Sequence, residues 1–124
     1  MNALMLLDLH TSWAWFVIIA NGLAGLWALG AHRIEGMRTR ALWFFTGLAQ
    51  VTVFVQVGFG VALVNRDKLE FPAFHAFYGF VGVIAVAIIY SYRNQMKHKM
   101  YLLYGYGGLF LMGLGIRAML VGQS

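Results

Sequence analysis

Long apolar runs alternate with short polar joints along this chain. The runs cover about residues 12–31, 41–64, 72–92 and 100–121, and the joints are residues 32–40, 65–70 and 93–99. About 20 apolar residues in a helix cross one bilayer. The pattern therefore predicts an all-α integral membrane protein: one domain over 1–124, with four transmembrane helices in an up-down-up-down bundle. Residues 1–10 are mixed and read as an interfacial segment or the outer turns of the first helix. Thr11 and Ser12 are its candidate caps.

The few polar positions inside the runs say which faces turn inward. In the first run, His10, Ala14, Val17, Asn21 and Gly25 recur at helical spacing. Such a narrow face of small or polar residues suits a helix contact better than lipid. The second run holds Thr46, Gln50, Thr52 and Gln56. Thr52, Gln56 and Gly60 share one face, and Gln50, Phe54 and Gly58 share another. An unpaired amide in hydrocarbon is expensive, so both glutamines are expected to point into the bundle or a partner interface. In the third run, Pro72 fits the first turn, and His75, Tyr78, Gly79 and Gly82 lie on one face. The fourth run is rich in glycine and carries Arg117 about one turn from its end.

Composition narrows the classes. The chain is 61% hydrophobic and 10% charged, more apolar surface than a soluble domain of 124 residues could hide. The absence of cysteine removes disulfides, thiolate metal sites and iron–sulfur clusters. A net charge of +5 could serve nucleic acid, but its placement in the joints argues for membrane topology, with no nucleic-acid partner. Arg33, Arg38, Arg40, Arg93, Lys97 and Lys99 fall in the first and third joints. Arg66 and Lys68 in the second are offset by Asp67 and Glu70. Positive charge stays on the cytoplasmic side. Both termini and the second joint are thus expected outside a bacterial cytoplasmic membrane, and the loops 32–40 and 93–99 inside. No cleavable signal peptide is expected, since Asp8 stands where a basic n-region would.

The candidate chemistry lies with the histidines. An ionisable ring within a span usually pairs, ligates or moves protons. His10, His75 and Arg117 fall at similar depth near the outer surface, and the first and third helices of such a bundle are diagonal. Two facing histidines can clamp a planar haem. Glycines (Gly58, Gly60, Gly79, Gly82, Gly113, Gly115) let a macrocycle approach a helix, and Arg117 or Arg66 can pair with a propionate. Other readings stand beside this one. His75 could bond a carbonyl or Gln56, Arg117 could snorkel outward, and the glycines could serve close packing alone. Met1, Met5 and Met119 could join His10 around copper. No lysine or acid lies mid-span, which disfavours a Schiff base or a carboxylate-driven pump. The halves also hint at a repeat, with His32 and His98 offset much as His10 and His75 are.

On His10, His75 and the surrounding glycines, the architecture resembles compact four-helix membrane cytochromes of b type. The resemblance implies haem b held by two histidines, and electron transfer, with a quinone as a candidate partner. It departs in one respect. Those bundles commonly carry several intramembrane histidines, whereas His32 and His98 fall in the inner joints, so a second haem is not expected. The alternative is a cofactor-free accessory or assembly subunit packed against a larger membrane complex. Its small joints and lack of a soluble module point to a helix-packing partner or a homo-oligomer.

Overall fold

The computed structural model describes residues 2–122, and these form four long helices joined by short turns. They are α1 (Ala3–Arg33), α2 (Arg40–Asn65), α3 (Ala73–Ser91) and α4 (Met100–Gly122). Single 3₁₀ turns, Glu35–Met37 and Lys97–Lys99, bridge α1 to α2 and α3 to α4. All four helices are long and apolar enough to cross a membrane. α1 packs most extensively on α4 and then on α2, and α3 packs on α4. α2 and α3 barely touch, and α1 and α3 face each other across a diagonal.

The boundaries follow local chemistry. α1 starts nine residues before the expected caps, because Asn2 takes that role: its Oδ1 accepts from Met5 N at 2.8 Å. Ala3 to Leu7 are strong helix formers, so nothing stops the helix before Thr11 and Ser12, which lie exposed within it. Residues 1–10 are thus mostly helical, with Met1 outside the described residues. Thirty-one residues make a rod of about 46 Å. That exceeds the roughly 30 Å of bilayer hydrocarbon. Pro72 sits just before α3 rather than in its first turn. Its carbonyl accepts from His75 N at 3.0 Å, and its missing N–H is not needed there.

Arg38 closes the other end of α1. Its Nε donates to Ala31 O at 2.6 Å and its Nη2 to His32 O at 2.8 Å. These carbonyls lack intrahelical partners, and the helix dipole places negative charge there. His32 belongs to the last turn of α1 rather than to the loop. At the far end of α2, Lys68 takes the left-handed conformation, φ 59°, and Leu69 N returns to Leu63 O at 3.0 Å.

Two kinds of seam hold the bundle. Along α1 and α4, glycines let the helices close up. A Cβ on Gly25 would lie 2.7 Å from Gly105 O, and one on Gly108 would lie 2.8 Å from Gly25 Cα. Larger side chains fill the adjacent glycine notches: Leu29 at Gly105, Met112 at Gly22 and Ile18 at Gly115. This is small-residue packing, which lets dispersion act where the hydrophobic effect is absent. Between α1 and α2 the links are polar. Gln56 Nε2 donates to His10 O at 2.7 Å, Trp13 Nε1 to Thr52 O at 3.0 Å, and Asn21 Nδ2 to Ala49 O at 3.1 Å. Asn21, only 1% exposed, also donates to Val17 O at 2.9 Å. The inward face expected for α1 is thus the buried one.

The two glutamines of α2 part company. Gln56 is bonded to α1. Gln50 is half-buried and makes no hydrogen bond among the described residues. It sits on the face where Phe54 is 47% exposed and Gly58 meets nothing within 4 Å. Only one of the two turns into the bundle, because a helix cannot aim positions six apart at one seam.

Candidate functional site: a histidine pair in an apolar cavity

The weak α2–α3 seam leaves a cavity of about 500 Å³ at the end of the bundle that holds the 66–72 turn. All four helices contribute to its wall. Several lining residues on α2 and α3, among them Val61, Val64, Ala76 and Phe80, are also exposed on the bundle surface. The cavity therefore opens sideways between these two helices. Its volume falls in the range of small-molecule and cofactor sites.

His10 and His75 meet in this cavity. His10 lies on the third turn of α1 and is 8% exposed; His75 lies on the first turn of α3. Their ring centroids are 5.9 Å apart, with planes at 77°. Phe71 sits against both, at 5.7 Å from His10 and 4.9 Å from His75. Two helices that do not pack on each other thus deliver one imidazole each to the same place.

His75 is anchored. Its Nδ1 lies 2.7 Å from Ala118 O on α4. A carbonyl can only accept, so Nδ1 is the donor in this bond. Gly122 makes this approach geometrically feasible, since a Cβ there would come within 2.6 Å of Nδ1. His10 is differently placed. Its backbone carbonyl is held by Gln56, but its Nδ1 is buried with no hydrogen-bond partner among the described residues. Gly60 leaves its ring room; a Cβ there would stand 3.3 Å from Cε1. Gln56 Oε1 is likewise buried and unpartnered. Orphaned polar atoms around an apolar cavity are uncommon and call for an explanation.

The other sequence candidates divide. Gly79 and Gly82 line the wall, where their missing side chains leave ordinary distances to Val57 and Val53. Gly113 lies on the exposed face of α4 with nothing within 4 Å, and it is not part of the lining. Arg117 is also outside the lining; its guanidinium stands 6.0 Å from the ring centroid of Tyr78, which does line the cavity. Met119 reaches the cavity, Met5 is exposed, and Met1 lies outside the described residues. His32 is 22 residues from His10 along α1, about 33 Å, and His98 sits in the turn at that same remote end. Phe71, which opens the run holding His75, joins the site. Two further participants carry no signal in the sequence. Ala118 acts through its backbone, which no side-chain pattern reveals, and Gly122 matters only through the neighbours the fold gives it.

Two imidazoles define what the site can hold. Among the described residues, no three His, Cys, Asp or Glu side chains gather in a group that could hold a metal ion. A macrocycle-bound iron brings its equatorial ligands and asks only for axial ones. No protein-family model, curated protein or solved structure matches this chain, so the reading rests on its own geometry.

Proposed function

We propose that this protein is a membrane-embedded haem-b electron-transfer protein or subunit, with His10 and His75 as axial ligands. The observation that carries the reading is the histidine pair: two rings from diagonal helices, 5.9 Å apart, inside a lateral apolar cavity. The residues present fit the group. The Nδ1–H of His75 bonded to Ala118 O fixes the tautomer and makes Nε2 the better ligand, as outer partners of metal-bound histidines do. His10, whose Nδ1 is buried without a hydrogen-bond partner among the described residues, supplies the second ligand. Gly60 and Gly122 keep both rings free of backbone crowding, and Gly79 and Gly82 keep the α3 wall flat. Arg117, outside the lining but 6.0 Å from the ring centroid of Tyr78, is the cation we assign to a propionate. When bound, haem supplies one-electron oxidation and reduction; the apolar wall keeps water from the metal.

The charge pattern completes the proposal. Both termini and the 66–72 turn face outward, and the loops 32–40 and 93–99 face the cytoplasm. The haem then lies in the outer half, in reach of a quinone dissolved in the bilayer. Reporter fusions at Ser124 that behave as cytoplasmic would overturn this orientation.

The test is the visible spectrum of detergent-purified protein, oxidised and reduced, with haem b added. A low-spin spectrum is expected. His75→Ala or His10→Ala should abolish it or leave a five-coordinate site, while His32→Ala and His98→Ala leave it unchanged. A second reading, the cofactor-free accessory subunit, draws on Gln50, whose amide lacks a partner among the described residues on an outward face of α2. Absence of any haem spectrum would leave that reading standing, with His75 as a packing residue.

A further inference from the structure

A second hollow lies at the opposite end of the bundle and is independent of the histidine site. It is a groove between α3 and α4, walled by Ile88, Tyr106 and Phe110, all largely exposed. Its floor is where the helices press together at Gly107, whose absent Cβ would lie 2.7 Å from Ile89 Cδ1. The groove runs from Lys99 to Phe110, eleven residues or about 16 Å along α4. That is about half the hydrocarbon thickness of a bilayer, the depth of one leaflet.

Lys99 is the one charged residue lining this groove, and it stands at the mouth. Lys97 is two residues away in the same 3₁₀ turn, and the joint 93–99 contains no acid. Neither lysine is in an ion pair among the described residues, where the sole pair is Arg66 with Asp67 at the other end. Arg93 is already occupied: its guanidinium lies 3.7 Å from the Tyr90 ring centroid and donates to Tyr90 O at 2.8 Å. Glu35, the acid at this end, belongs to the turn between α1 and α2. An apolar trough one leaflet deep, topped by unpaired lysines, has the chemistry of a lipid with an anionic head.

The geometry points to a binding site for an anionic phospholipid, with an acyl chain in the α3–α4 groove and its phosphate at Lys99 and Lys97. Basic clusters at helix mouths recognise such heads, and each lysine near the surface contributes about 1 kcal/mol, roughly fivefold in affinity. The full-length protein, stripped of endogenous lipid in mild detergent, is titrated with phosphatidylglycerol or phosphatidylcholine of the same chains. Bound lipid is counted by native mass spectrometry. Phosphatidylglycerol should bind more tightly, and Lys99→Gln should weaken it about fivefold. Arg40→Gln removes the same charge from the same end, but on α2, and should leave affinity unchanged. Glycerol phosphate, which has the head and no chain, should not compete. Equal binding of the two lipids would overturn the site. So would equal losses in the two variants, which would mean diffuse attraction, or competition by glycerol phosphate, which would mean a head-group site without the groove.

Discussion

The α1–α4 and α2–α3 seams use the same residue type to opposite ends. On α1 and α4, glycine is a contact: the backbones of Gly25 and Gly108 touch, and no side chain would fit between them. On α3, glycine is an opening: Gly79 and Gly82 have room for a methyl group, and the space beyond them is cavity. A helix in lipid gains nothing from hiding apolar surface, so only close packing and polar links hold it. One seam concentrates that packing, and the other is left loose enough to admit a ligand.

That contrast can be broken most severely at Gly108. Gly108→Ala would press a methyl against Asn21 O and Gly25 Cα at 2.7–2.8 Å, against backbone that has no flexible end to move. Overpacking of this kind costs about 1–3 kcal/mol in soluble cores, and the upper end is expected here. Thermal unfolding in detergent should show a large loss or no folded protein. A wild-type melting temperature would mean the helices can separate without cost.

Asn21→Leu comes next. It deletes the two Nδ2 bonds to Val17 O and Ala49 O, and with the second the link from α1 to α2 at this level, leaving Ala49 O its bond from Thr52 Oγ1. Interhelical hydrogen bonds in membranes contribute about 0.6 kcal/mol on average and up to about 1.7, so roughly 1–2 kcal/mol of destabilisation is expected. The glutamines sharpen the same point by difference. Gln56→Leu removes the bond to His10 O and should lower stability by about 0.6–1 kcal/mol. Gln50→Leu should change little in the isolated chain. Equal losses from both would place Gln50 in an interface between copies, which analytical centrifugation would then detect.

The smallest effects belong to the open seam. Gly79→Ala places a Cβ 3.9 Å from Val57, and Gly82→Ala places one 3.6 Å from Val53, both ordinary contacts. Stability should stay near wild type while any haem-binding signal weakens, because the wall has moved inward. If Gly82→Ala unfolds the protein instead, the α3 wall is a packing surface and the comparison between the seams fails.

Periodicity and length were enough to read four spans, their approximate ends and the inward face of α1, since each is set by residues within one helix. His10 and His75 could also be picked out, because an ionisable ring in an apolar run is costly wherever the run folds. Residues 1–10 were legible only as an interfacial segment or the outer turns of the first helix, and the cap at Asn2 decides for the second, ahead of the candidates Thr11 and Ser12. Everything that depends on which helices touch came from tertiary structure. The sequence could pair either glutamine of α2 with a neighbour, and only the turn of that helix against α1 chose Gln56. It offered many glycines for a cofactor, and only packing separated Gly25 and Gly108, pressed on backbone, from Gly60 and Gly122, cut back around imidazoles. The Ala118 carbonyl that orients His75 carries no side-chain signal, and it comes within reach because α3 and α4 run antiparallel and in contact. Composition determines that a helix belongs in lipid; the meeting of two rings 65 residues apart is decided by the axial rotation of helices that lipid alone does not orient.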